Sequence, residues 1–268
     1  MAEGNLRAYA ALAGAQARSV FSYRASFVVE MVANMGATVL DVLAVLVLFR
    51  ATPIVGGFTL AEAALTVGLS SAAFAFADFL VGNVDRLKTY VRAGTLDAVL
   101  VRPLGALPQL LLMDLPIRKL LRVVFGVAVL AVAIGANDIH WTPARVVLVV
   151  ITPLAGSLFF GSIFVVSATL AFWWVDSGEI GSAFTYGGRD FTAYPITVYG
   201  EWFRNLFAYA MGFAFVAYQP ALALLGRTDP LGLPSWAGFV SPLVALVAAC
   251  LAAAVWRVGI RHYRSTGS

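Results

Sequence analysis

The sequence predicts an all-α integral membrane protein, and three observations carry that reading. Apolar residues make up 61% of the 268 positions and charged residues 12%, about half the roughly one quarter typical of a soluble domain. Mean hydropathy is +0.87. The apolar residues come in six blocks, each near the ~20 residues that a helix needs to cross a bilayer core.

The elements follow in order. Met1–Arg24 reads as an amphipathic helix at the membrane surface: Leu6, Tyr9, Ala10, Ala13 and Ala17 recur at helical spacing, while Arg7 and Arg18 can reach headgroups. It lacks the compact apolar core of a cleaved signal peptide. Six spans are expected at Ala25–Phe49, Leu60–Val81, Arg118–Ala136, Val146–Phe172, Trp202–Leu225 and Gly238–Val258. The third has a short clean run and crosses only if Arg118, Lys119 and Arg122 snorkel to the interface. A five-span arrangement without it is the alternative. Residues 259–268 form a tail, so the chain is expected to be one transmembrane domain.

Lysine and arginine set the expected orientation. With six spans, fifteen of the eighteen fall on the side of the termini, against Arg50, Arg145 and Arg227 on the other. That asymmetry places both termini in the cytoplasm and explains the basic balance without nucleic acid. The expected location is the plasma membrane, among lipid.

Several chemistries are excluded by what the chain lacks. Gly156, Gly161 and Ser162 have Walker-like spacing but no lysine, and lie in an apolar helix. Close packing through Ser157 and Gly161 explains them. His140 and His262 fall on opposite sides and cannot share a metal. Cys250 stands alone in the last span, so no disulfide framework or thiolate site exists. No serine–histidine pair supports an intramembrane hydrolase, and no catalytic residue or cofactor site is expected.

Ionisable groups inside spans are functional candidates by default. Glu30, Asn34 and Asp41 share one face of the first helix, and Asp78 in the second shares a face with Ser71. They read as a polar wall for a translocation path or a proton-coupling site, with interhelical hydrogen bonding as the alternative. No basic residue is expected at their depth. A proton-coupled secondary transporter using Glu30, Asp41 or Asp78 is the competing function.

The loop after the second span carries the densest local signal. Gly94 suits a helix stop, Thr95 a cap for a new short helix, and Asp97 its first turn. Leu96 and Leu100 are expected to form one apolar stripe that plugs into a groove on a soluble partner. Arg92 and Arg102 flank it, with lipid phosphates as their alternative partners. Arg92-x-Gly94, Thr95-Leu96-Asp97 and Leu100-x-Arg102-Pro103 resemble the signature loop of the six-helix permeases of the second class of ABC-type exporters, in the branch of drug and antibiotic exporters. Tyr194-Pro195-Ile196-Thr197-Val198-Tyr199, Trp202-Phe203-Arg204 and the run from Phe213 to Ala221 resemble that family's second motif. Gly200–Glu201 and Gln219 depart from it.

The resemblance covers about residues 15–262 and implies a mechanism. Two permeases pair, as a homodimer or with a related paralogue, and each docks a separate P-loop ATPase that holds ATP and Mg. Arg92, Gly94, Thr95, Leu96, Asp97, Leu100 and Arg102 would form the ATPase contact, on a coupling helix. The loop Gly226–Ala237 would cap the path outside, its Pro230, Gly232 and Pro234 suiting a re-entrant backbone. Asp176, Glu179, Arg189 and Asp190 are expected in a solvated cytoplasmic loop, with bracing of the same ATPase contact as the alternative.

Overall fold

The computed structural model describes residues 36, 43, 45–112, 119–174 and 177–263. The expected surface helix and most of the first span, with Glu30, Asn34 and Asp41, lie outside these residues. Among those described there is no strand, and residues 45–51 form the helical end of the first apolar block. A tight turn then passes through Gly56 and Gly57, both at positive φ, with Val55 and Phe58 exchanging backbone hydrogen bonds at 3.0 Å.

Three helices are long and apolar enough to cross a membrane: α1 (Leu60–Leu80), α6 (Pro143–Phe172) and α10 (Ser241–His262). Between them lie α2 (Leu87–Arg92), α3 (Leu96–Leu100), α4 (Ala106–Leu112) and the apolar α5 (Leu120–Ala136). Each start has a local cause. Thr59 and Glu62 form a capping box at the head of α1. Thr142 caps α6 through the Arg145 N–H, and Pro143 takes the first turn, so α6 starts three residues before the apolar run.

α1 is the central helix. Gly68 lies under the Leu130 backbone of α5, and Gly126 returns the contact at Ala72, where an added Cβ would stand 3.1 Å from that residue's Cα. Small residues set this close crossing. Gly156 of α6 faces Ala73, and Gly161 faces Val81, which is the close packing expected there. Phe74, Phe160 and Phe164 are buried together; Phe74 meets Phe160 edge-on at 5.3 Å.

The fifth expected span does not cross. Its residues form two arms, α8 (Glu201–Ala210) and α9 (Phe213–Leu225), bent by 66° around Gly212 at φ +91. Both outer ends reach the same end of the bundle. Before α8, the Thr197 hydroxyl donates to the Gly56 carbonyl at 2.6 Å. After α9, Arg227 donates to the Gly57 carbonyl at 2.9 Å and pairs with Glu62 at 2.9 Å. Arg145 at the head of α6 donates to Ala223 at 3.0 Å. The segment is therefore a re-entrant hairpin, its apex buried between Phe159 and Val244. The re-entry thus precedes the loop Gly226–Ala237, which was expected to supply it.

That loop instead locks the hairpin. Asp229 accepts from Gln219 at 2.7 Å, Tyr218 at 3.3 Å, Tyr209 at 3.4 Å and the Leu231 N–H at 3.0 Å. Gln219, a departure from the family motif, is thereby accounted for.

The stretch expected as a cytoplasmic loop holds α7 (Gly178–Ala193). It runs antiparallel to α1: Ser70 bonds to Thr192 at 2.5 Å, and Arg189 sits over the Phe74 ring at 5.6 Å. Glu179, Arg189 and Asp190 are therefore on a helix of the bundle, and Asp176 is outside the described residues. Lys88, Lys119, Arg122, Arg257 and Arg261 gather where α1 and α10 end; this is the basic end. Arg204, expected with them, lies with the hairpin's outer end at the opposite, far end. Trp173 and Trp174 are exposed at the basic end, and Trp202 and Trp236 beside the hairpin, as interfacial anchoring requires.

Gly212→Ala should lower the detergent melting temperature, since a Cβ at positive φ costs about 1–3 kcal/mol and would press on Val244. Gly187→Ala in α7 meets nothing within 4 Å and should be neutral or gain up to about 1 kcal/mol. Equal melting of the two variants would contradict the re-entrant apex.

Candidate functional site

The excursion between α1 and α5 builds the site at the basic end. α2 stops where expected: Gly94 takes φ +66, and its N–H closes on Val91 at 3.2 Å. Thr95 does not cap. Its backbone is already helical, which turns the hydroxyl back to the Tyr90 carbonyl at 3.3 Å.

The expected apolar stripe of α3 is split. Leu96 is 1% exposed and packs inward beside Val99, whereas Leu100 is 38% and Val101 85% exposed. Five residues make little more than one turn, so Leu100 already sits where the chain runs clear of the bundle. Asp97 also turns inward, accepting from the Tyr263 hydroxyl at 3.0 Å. Arg92, Thr95, Leu100 and Arg102 are exposed, and Gly94 is half-buried. The Gln109 amide braces the turn, donating to Val99 at 3.1 Å and Leu104 at 3.0 Å.

Asp78 closes the neck of this excursion. Its side chain is 1% exposed, and Lys119 Nζ at 2.5 Å and Arg122 Nη1 at 2.6 Å meet its two oxygens. The expectation of an acid on an open path, with no basic residue at its depth, is corrected. Lys119 and Arg122 do not snorkel to headgroups; a buried carboxylate needs paired cations more. Their spacing of three residues puts both on one helix face, the signal in the sequence that could have found them. Nearby Asp85 has its carboxyl pushed up to about 6 by burial, with Asp78 adding to the rise and Lys119 and Lys88 opposing it. A small cleft beside it is lined by Lys88, Ser167, Ser177, Gly178 and Ser182.

The aromatic side chains between the helices fall into two groups. Phe74, Phe159, Phe160, Phe164 and Phe213 are buried in mutual contact, which is packing. Phe207 and Phe213 line an apolar cavity of about 280 Å³ between α7 and the hairpin, with Phe184 and Phe191.

Asp78→Asn should destabilise the protein by about 3 kcal/mol, because two part-buried cations lose their counter-charge. Lys119→Met in the same background should recover part of this, read as thermal unfolding in detergent. Asp85 gives a pH signature. The folded chain holds its proton up to about 6 against an ordinary 3.8, so stability falls as pH rises through that window. The difference between wild type and Asp85→Asn should shrink toward the acid end; a pH-independent difference would contradict it.

No curated protein and no solved structure matches the chain significantly. A family model described as ABC-2 family transporter protein matches residues 35–267. That span contains the neck charges, α3, the hairpin and all three long apolar helices, so the chain belongs to the ABC-2 transporter family as a multi-pass membrane permease.

Proposed function

We propose that the chain is the permease subunit of an ATP-driven exporter, and that α3 is the helix docking a separate P-loop ATPase. The observation that carries this is the two-sidedness of α3. Leu96 and Val99 anchor it, while Leu100 and Val101 stand exposed beside the exposed Arg92, Thr95 and Arg102. Apolar anchors ringed by arginines suit a groove edged with carboxylates. ATP and Mg belong to the partner, since this chain has no Walker loop.

In this reading six segments cross: the first apolar block, α1, α5, α6, α7 and α10. The hairpin dips in from outside. An even count puts both termini at the basic end, which is cytoplasmic in the plasma membrane. Exposed Glu179, Tyr186 and Asp190 recur along α7 at spacings of seven and four residues, which share a face. Lipid disfavours such a face; a path between two paired permeases accommodates it. Asp78, tied to two cations, lends no support to the proton-driven alternative.

Purification of the tagged chain in mild detergent should bring down a P-loop ATPase in near-equal amount. Leu100→Asp with Val101→Asp should cut its recovery more than about tenfold, the scale of losing a central apolar anchor. A chain that comes down without an ATPase, or retention that ignores both substitutions, would overturn the reading.

A further inference from the structure

The described attachments of α3 are not all local. Gln109 and the neck charges belong to the excursion and the helices that flank it. Tyr263 does not: it follows α10, 166 residues from Asp97, and donates its hydroxyl to that carboxylate at 3.0 Å. Burial and the adjacent Asp97 carboxylate both push the Tyr263 phenol up, so it stays protonated and able to donate.

The base of this link is rigid. Tyr263 packs on Phe172 with ring centroids 6.0 Å apart, and Phe172 packs on Trp256 at 5.5 Å. Trp173 meets His262 at 5.5 Å. Gly259 lets the helices close, lying against Thr169 and Phe172. The basic ends of α6 and α10 are thus one aromatic block, and the inward face of α3 belongs to the same core cluster through Leu96 and Val99.

We propose that Tyr263 is a positioning residue for coupling: it delivers movement of α3 directly to α10 through its bond to Asp97, in parallel with the route through α1 and α5. The proposal rests on the exporter reading. A push on Leu100 and Val101 tilts α3, and a hydrogen bond to a charged acceptor carries that tilt where an apolar contact would slip. α10 then moves with α6, against which its aromatic end is fixed.

The chain's one cysteine, Cys250, is exposed on α10 and reports this without further substitution. The full chain, purified with its ATPase and placed in phosphatidylcholine vesicles, is spin-labelled at Cys250. Spectra are taken without nucleotide and after trapping with ATP and vanadate. Wild type should show a nucleotide-driven change. In Tyr263→Phe, which keeps the ring on Phe172, the change should fall about tenfold, the scale of one hydrogen bond to a charged group, with the ATPase still retained. Asp97→Ala should match it, the double variant should be no worse than either, and Asp97→Asn, which still accepts but without the charge, should restore part of the response. The idea fails if Tyr263→Phe responds like wild type, if the two losses add, or if α10 in wild type ignores nucleotide while the ATPase is bound. Absence of a bound ATPase is a different failure: it removes the exporter reading itself, and the coupling role of Tyr263 with it.

Discussion

Asp78 has 1% of its side chain exposed, and a carboxylate so placed must be matched by charge. Much of the basic end follows from that need. The matching cations are Lys119, just before α5, and Arg122 in its first turn, on the far side of the excursion that carries α2, α3 and α4. The excursion therefore leaves and returns at one point. Gln109 and Tyr263 then hold α3 from two further directions. The short helix is presented on a frame rather than on a tether.

The far end is held by different chemistry. There the problem is a sharp bend inside the bundle, where buried backbone groups need partners. Gly212 supplies the reversal, and Phe159 and Val244 bury it. The π-helical turn before it, Arg204–Ala210, widens the arm where such turns often mark functional sites. Asp229 gathers donors from both arms, and Arg227 ties the following loop to α1 while lying over Phe58 at 4.9 Å. Hydrogen bonds from neutral groups dominate here, ion pairs at the basic end.

What the sequence made legible was local. Hydropathy located α1, α6 and α10, and the stop at Gly94 followed from one residue's backbone freedom. Composition does not record direction. A hairpin buried by protein is as apolar as a helix that crosses, so residues 202–225 read as a span. α7 was hidden for the opposite reason: its glycines and Glu179, Arg189 and Asp190 lower its hydropathy, although Gly181, Thr185, Gly188, Phe191 and Thr192 are buried in the bundle. The residues grouped around α3 were legible as a pattern, and their individual directions were not. Leu96 and Asp97 point inward because Val99, Tyr263 and the aromatic block are there to receive them, contacts that span most of the chain.

In the proposed topology these two differences offset. Removing a crossing at residues 202–225 and adding one at α7 leaves the count even, so the proposed topology keeps both termini together. The charge asymmetry survives as well. Arg204 moves to the far end and Arg189 into the bundle, yet the lysines and the arginines of the excursion and of α10 stay at the basic end. A positive-inside argument tolerates such an exchange because it counts charges between crossings and is insensitive to which segment crosses. What it cannot supply is the wall of the path. In the proposed reading that wall comes from α7, a helix of the bundle whose exposed Glu179, Tyr186 and Asp190 share one face.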